Sequence, residues 1–457
     1  MKFSRKRNQF TIFLVDLLIL VASLFLTLLV RKMAMPTFSN FLNHLLSFLP
    51  IWFVWILAMY TLTLYSIDVP FTGIELPLKL FFSALFALFT GLGCFYIFKL
   101  NNISPKTILL LDILISYCLL LIWRYLYDYI QKKANIKNKY VIVGYNETVH
   151  ELIKISLKSN YLNFLPMALY TQQKNIPEDV KESVQIIDST ENFEQFIKQN
   201  DIKIFVLPIE KEHSKGIIKI LFNALKNKSV FYNIPEFYEL LSRKIPLGSI
   251  NESWFLQNIN LEGRGVFYFF KRIIDIVLSL IILLITGIFW PFIAIIIKLE
   301  SKGPVFFTQI REGKNGKLFN LYKFRTMKTE QNDFAPTTEK DNRITKFGNF
   351  MRVTRIDELP QMLNVLKGDM SLIGPRPERP ELAIELEKEI PFYKQRLLVK
   401  PGITGWDQVS GEYHSPSIED TYKKIQYDLY YIKNQSIFLE ISIFFKTIMT
   451  VFLKLGR

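Results

Sequence analysis

Ile273–Leu299, IIDIVLSLIILLITGIFWPFIAIIIKL, is the stretch on which the fold turns. It is long enough to cross a bilayer, which takes about 20 apolar residues of helix, but Pro291 interrupts it. Proline has no amide donor and its ring collides with the preceding helical turn, so a kink or break is expected there. Lys271 and Arg272 precede the run, and Lys298 and Lys302 stand at its far end. Basic residues at both ends favour placing both ends on the positive side of the membrane. The expected form is a re-entrant helix, residues 271–300, that enters one leaflet and returns; the competing form is a kinked full span. Interrupted backbone at membrane depth must be satisfied by protein contacts, so neighbouring helices are expected to buttress it.

The composition agrees with a membrane protein. Of 457 residues, 50% are hydrophobic and 40 are phenylalanine, too apolar for an ordinary soluble enzyme. The net charge of +15 coexists with long apolar runs, which points to anionic headgroups and phosphorylated substrates. Nucleic acid is not an expected partner, because no basic groove with interleaved aromatics is evident. Cys94 and Cys118 lie inside apolar segments, which excludes a disulfide framework and a cysteine metal site. His44, His150, His213 and His414 have no metal-ligand spacing, and only His414 is near the candidate pocket.

Four upstream segments qualify as spans: Phe10 to Val30, Leu45 to Tyr65, Leu80 to Phe98 and Thr107 to Tyr127. Lys2, Arg5, Lys6 and Arg7 before the first, and Arg124, Lys132, Lys133, Lys137 and Lys139 after the fourth, place both ends in the cytoplasm. The first run reads as an uncleaved anchor. Asp16 and Asp112 fall within spans, where an interfacial or interhelical contact is favoured over an ion pathway. Residues 1–135 are therefore expected to form a four-helix transmembrane domain.

From Tyr140 the pattern becomes α/β: YVIVG as a buried strand, HELIKISLKS as a helix, and strands around NFLPMALY, VQIID and IKIFVLPI. Gly144 alone stands where a dinucleotide fingerprint needs several glycines. Residues 136–262 are expected to form a Rossmann-like domain used for assembly or regulation, without a working NAD site. A fifth full crossing after it would export everything beyond residue 300, away from nucleotide-activated substrates.

Residues 263–457 follow as the expected catalytic domain. GPVFFTQIREGKNGKLFNLYKFRTM reads as two strands joined by a turn at Gly313 to Gly316. Lys323 and Arg325, two apart in an extended segment, share a face suited to a diphosphate, or form a solvated basic face. Asp357 and Glu358 in TRIDELPQMLNVL look like a helix start, where adjacent carboxylates diverge by about a quarter turn. One is then suited to attack phosphorus and the other to bind metal, unless the pair merely favours a helix dipole. TEQNDFAPTTEKD, Thr329 to Asp341, reads as a mobile loop able to close over the site. SIFLEISIFFKTIMTVFLKLG, with Glu440, Lys446 and Lys454, suits a helix lying in the interface.

Several motifs in order decide between these readings: Pro291 in its apolar segment, KFRTM (Lys323 to Met327), DELPQ (Asp357 to Gln361), NVLKGDMSLIGPRP (Asn364 to Pro377) and PGITGW (Pro401 to Trp406). With them the chain resembles the bacterial sugar transferases, the monotopic-core phosphoglycosyl transferases that prime polysaccharide assembly on polyprenyl phosphate. The bundle and middle domain resemble the large members of that family. The resemblance implies that Asp357 attacks the sugar-linked phosphorus of a UDP-sugar, releasing UMP, and that undecaprenyl phosphate then takes the phosphosugar. It assigns Mg²⁺ to Glu358, with Asp357 beside it. It assigns substrate binding to Lys323, Arg325, Arg352, Gln361, Asn364, Arg376, Pro401, Gly402, Thr404, Gly405, Trp406 and Gln408. A homodimer in the bacterial cytoplasmic membrane, with catalysis on the cytoplasmic face, is also implied.

This chain reads GWDQVSGE where a common family form is GWAQVNGR, so Asp407, Ser410 and Glu412 depart from it. The departures put the sugar in question more than the reaction. Two other classes are a membrane-bound NAD(P)-dependent sugar-nucleotide enzyme, distinguished by cofactor binding, and a non-enzymatic transporter or assembly partner, which turnover of a UDP-sugar excludes as the sole function.

Overall fold

The computed structural model describes residues 2–65, 75–97, 106–134, 138–158, 164–208, 215–227, 229–260, 263–328, 343–410 and 417–452. The expected mobile loop at 329–341 lies outside the described residues, as do Lys137, His213, Glu412, His414 and Lys454. The chain divides into two compact units, Met1–Ser242 and Arg243–Arg457.

The first unit begins with α1 (Lys2–Lys32), α2 (Phe38–Thr61), α3 (Glu75–Leu92) and α4 (Lys106–Ala134). Within them Gln9–Arg31, Phe38–Thr61, Leu76–Phe95 and Thr107–Ile130 are each long and apolar enough to cross a membrane. Helix α1 packs on α4, and α3 packs on both α2 and α4. Both acids predicted to lie in spans make interhelical contacts. Asp16 accepts from Arg124 at 2.5 Å, with both side chains fully buried. Ser23 donates to Asp112 at 3.0 Å.

The sheet that follows contains β1 (Asn138–Val143), β2 (Phe164–Tyr170), β3 (Gln185–Ile187), β4 (Ile204–Leu207) and β5 (Val230–Asn233). Its order is β3-β2-β1-β4-β5, with every pair parallel. Such strands are buried on both faces and so read as continuous apolar runs. Tyr140 and Ile142 point to one core with α5 (Glu147–Lys158) and α9 (Ile234–Ser242), whereas Val141 and Val143 point to the other with α7 (Thr190–Gln199) and α8 (Lys215–Ala224). The short α6 (Glu178–Ser183) adds Val180 to the first core.

The second unit starts earlier than the expected boundary after residue 262. Ile245, Leu247 and Trp254, the last on α10 (Glu252–Asn258), are buried in its core, and the Ile245 amide donates to the Gln426 carbonyl at 3.1 Å. Next come α11 (Gly265–Gly287) and α12 (Trp290–Glu300), bent by 62° at the break between them. Pro291 occupies the first turn of α12, where its missing amide costs nothing. Four residues back its ring would meet the Gly287 carbonyl of a continuous helix. The two helices expose Leu284, Ile285, Ile288, Phe289, Phe292 and Ile295, each more than half accessible.

The strands β6 (Phe306–Glu312) and β7 (Leu318–Phe324) pair as the expected antiparallel hairpin, from Phe306 opposite Phe324 to Glu312 opposite Leu318. After it come α13 (Lys346–Thr354), α14 (Gln361–Lys367), β8 (Ser371–Ile373), α15 (Pro380–Glu389), β9 (Gly402–Thr404), α16 (Ile418–Asn434) and α17 (Ile437–Phe452). Strands β8 and β9 pair in parallel. Helix α17 is seated by the fully buried Ile443 while Phe438 is 52% exposed.

Candidate active site

The acid pair does not open a helix. Helix α13 ends at Arg355, whose φ of 59° is left-handed, and the chain then makes a separate 3₁₀ turn over Ile356–Glu358 before α14. With three residues per turn, neighbouring side chains diverge by about a third of a turn, more than the quarter turn expected. Both carboxylates remain buried, at 7% exposure each.

Their surroundings separate them further. Glu358 Oε1 accepts from Lys323 Nζ at 2.9 Å and from Arg376 at 3.1 Å. Burial alone would raise its pKa, but the charges of Lys323, Arg376 and Arg355 overcome that and hold the carboxyl well below the usual range. Burial and the adjacent Glu358 push Asp357 up to about 6, against the pull of Lys323, Arg352 and Arg355. Asp357 Oδ1 is buried without a hydrogen-bond partner among the described residues. Two carboxyls with oppositely displaced affinities for a proton are the arrangement that lets adjacent acids take different roles. Arg355, which acts on both acids, was missed by sequence reasoning, although its place two residues before Asp357 was a usable signal.

The frame around Arg376 is over-determined. After β8 the chain turns through Gly374-Pro375-Arg376-Pro377-Glu378, and four of the turn's carbonyls, with that of Ile373 at the end of β8, receive donors from elsewhere. Lys271 Nζ donates to Ile373 at 2.9 Å, Gly402 N to Pro375 at 2.9 Å and Arg396 to Arg376 at 2.8 Å. Arg311 donates to Pro377 at 3.1 Å and Glu312 N to Glu378 at 3.0 Å. A Cβ on Gly402 would lie 2.1 Å from Gly374 N, and one on Gly374 would lie 2.4 Å from the Lys400 carbonyl oxygen. The glycines of GPRP and PGITG are thus needed for two backbones to touch.

Several residues expected to bind substrate are engaged in this frame. Asn364 is fully buried, accepting from Tyr322 N at 3.1 Å and donating to the Asn320 carbonyl at 2.7 Å, so its amide pairs with β7 like a strand. Arg325 lies past the end of β7 and donates to the Ser301 and Lys302 carbonyls at 2.7 and 3.1 Å, which closes the C-terminus of α12. It does not share the grip of Lys323. Thr404 is bonded to Thr447 at 2.8 Å, and Trp406 donates to the Arg243 carbonyl at 3.2 Å while stacking on Tyr430. Arg352 donates to Thr326 at 3.0 Å, and Gln361 is buried at the start of α14. Pro401 lines a small cleft with Pro375, Arg376 and Glu378. Gly405 lies against Gly374, its Cβ position 2.5 Å from that carbonyl, and Gln408 Oε1 is buried. The departure Asp407 shares a 3₁₀ turn with Gln408, and Ser410 donates to the Asp407 carbonyl at 2.7 Å.

The base of α11 is fastened to the same frame. Arg272 donates to the Val365 and Leu366 carbonyls at 2.6 and 2.8 Å, where a cation suits the end of α14. Asp275 accepts from Ser371 Oγ at 3.1 Å and Leu372 N at 3.0 Å. The apolar helix pair is therefore continuous with the acid site through α14 and β8.

Among the described residues no three His, Cys, Asp or Glu side chains cluster as metal ligands. Mg²⁺ needs fewer, since one or two carboxylates suffice when water and phosphate oxygens complete its shell. Both ion pairs of Glu358 fall on Oε1 and Asp357 Oδ1 is unpartnered, so the donor set fits that mode.

A family model described as bacterial sugar transferase matches residues 266–454. The UDP-N-acetylgalactosamine-undecaprenyl-phosphate N-acetylgalactosaminephosphotransferase of Aeromonas hydrophila is 42% identical over 227 residues, 49% of this chain and 53% of that protein. The UDP-glucose:undecaprenyl-phosphate glucose-1-phosphate transferase of Xanthomonas campestris pv. campestris is 37% identical over 272 residues, 56% of this chain and 54% of that protein. The chain thus spans about half the length of these two curated relatives. The galactosyl transferase CpsE of Streptococcus agalactiae serotype III is 30% identical over 415 residues, 81% of this chain and 85% of that protein. With its family match laid over the acid pair and an alignment of that extent, the chain belongs to the bacterial sugar transferase family.

Proposed function

We propose that the chain transfers a sugar 1-phosphate from a UDP-sugar to undecaprenyl phosphate, releasing UMP, through a covalent adduct on Asp357. The observation that carries this is the pair of adjacent buried acids whose proton affinities are displaced in opposite directions. Asp357, uncommitted at Oδ1, attacks the sugar-linked phosphorus. An aspartyl oxygen–phosphorus bond forms, the anhydride bond breaks and UMP leaves with the electron pair. A phosphate oxygen of the lipid then displaces the carboxylate, forming a new diphosphate and freeing Asp357. One anhydride is exchanged for another, so the protein supplies position and charge rather than energy. Lys323 and Arg376 hold Glu358 ionised, and Arg376, 39% exposed at its side chain, also faces incoming phosphate. Mg²⁺, held by Glu358 with Asp357, would neutralise charge developing on the leaving phosphate.

Two of the relatives carry names that specify transfer of a sugar phosphate to undecaprenyl phosphate, which supports this substrate class. The bent pair α11–α12 is read as a re-entrant element that keeps the acid site at headgroup height, where the lipid phosphate lies. With both its ends and both ends of the bundle on the positive side, catalysis falls on the cytoplasmic face of the inner membrane. The parallel sheet is read as a Rossmann-like scaffold for assembly, and the working unit as a homodimer.

The test uses purified protein with Mg²⁺ and a panel of UDP-sugars but no lipid. About one UMP per active site is expected, with a labelled protein adduct that Asp357→Asn abolishes. An adduct persisting at wild-type level in that variant would remove Asp357 from the role.

A further inference from the structure

Arg396 is 4% exposed and absent from every motif that drew attention in the sequence. Its guanidinium donates to the Arg376 carbonyl at 2.8 Å, pairs with Asp428 at 2.9 Å and reaches the Tyr393 hydroxyl at 3.3 Å. Asp428, on α16, is 2% exposed. A guanidinium fork can hold several acceptors in fixed directions, which a single ammonium cannot. Two of the other carbonyls along that turn, those of Pro375 and Glu378, are held by backbone amides, and that of Pro377 by Arg311. The carbonyl of Arg376 itself is held by Arg396. Asp407, which departs from the common family form, lies close enough to Asp428 to repel it.

We propose that Arg396, anchored by Asp428, is a positioning residue that fixes the Arg376 backbone so that its guanidinium stays on Glu358 and toward substrate phosphate. The proposal rests on the transfer reading above, and the two fail separately. Loss of that reading appears as no UMP release by the wild type, whereas the positioning role is also read from UDP binding by calorimetry, which needs no turnover.

The experiment is a double-mutant cycle on the full chain with Arg376→Ala, Arg396→Lys and both together. Arg396→Lys is expected to weaken UDP binding and lower kcat/KM by roughly tenfold, in the range of a lost charge-assisted hydrogen bond. In the Arg376→Ala background the same change is expected to cost less than about twofold, because there is no guanidinium left to place. Equal costs in both backgrounds, or a lower melting temperature with unchanged binding, would overturn the proposal. If Arg396→Lys does not fold, Asp428→Asn takes its place in the cycle with the same expected pattern and the same overturning result.

Discussion

Asp357 and Glu358 are adjacent in the chain, equally buried, and pushed in opposite directions by their neighbours. Lifting a carboxyl from near 4 to about 6 corresponds to roughly 3 kcal/mol against its charged form. Because the folded value lies above the unfolded one, the stability Asp357 contributes is complete below about pH 4 and is lost as pH rises through about 6. Asp357→Asn, neutral throughout, should therefore melt a few degrees above the wild type at pH 7 and level with it at pH 4. In the wild type, adduct formation should rise with pH, since the attacking form is the carboxylate. Coincident melting curves across that range would show that Asp357 is not displaced. At this scale the acid pair drew attention only through its flanking motifs, because two adjacent carboxylates alone read equally well as a helix start. The fates of Arg325 and Asn364 were not legible, because a motif letter does not say whether a side chain faces ligand or backbone. Asn364 bonds both sides of its amide to β7, and Arg325 ends α12.

Elements with a long period were read well; of the short strands, β3 and β4 were found inside longer apolar runs, and the others were not. The β6–β7 hairpin and the four long apolar helices have enough residues for alternation or continuous hydropathy to stand out. Strands β5, β8 and β9 and the 3₁₀ turn carrying the acids have three or four residues each, too few to show a period. Pro291 is the element-scale signal with the largest consequence. It starts α12 and prevents α11 from continuing, at a bend of 62°. Pro291→Ala restores the amide and removes the clash with the Gly287 carbonyl, so the pair gains access to a straight form. With single cysteines placed at Val266 and at Lys302 in a background lacking Cys94 and Cys118, a membrane-impermeant maleimide should label both wild-type positions from the same side. The Pro291→Ala variant should yield a mixture of topologies. Labelling of the two wild-type positions from opposite sides would replace the re-entrant reading with a full span.

At the scale of the whole molecule, the division at Ser242/Arg243 decides how much chain the chemistry needs. The expected catalytic domain starts at residue 263. That boundary leaves residues 243–262 with the middle domain. Yet Ile245, Leu247 and Trp254 are 0%, 2% and 4% exposed in the second core. The segment is further tied in by Trp406, which donates to the Arg243 carbonyl at 3.2 Å, and by Lys433, whose ammonium lies 5.0 Å from the Trp254 ring. Burying each such side chain contributes about 1.5–3 kcal/mol, so losing three approaches the entire net stability of a domain, about 5–15 kcal/mol. A fragment of residues 243–457 should therefore fold in detergent or nanodiscs and release UMP from a UDP-sugar, whereas residues 263–457 should melt well below it or aggregate. Equal melting temperatures and equal UMP release from the two fragments would mean that residues 243–262 only decorate the core. Failure of the longer fragment alone to fold would instead make the first unit a structural requirement of the second.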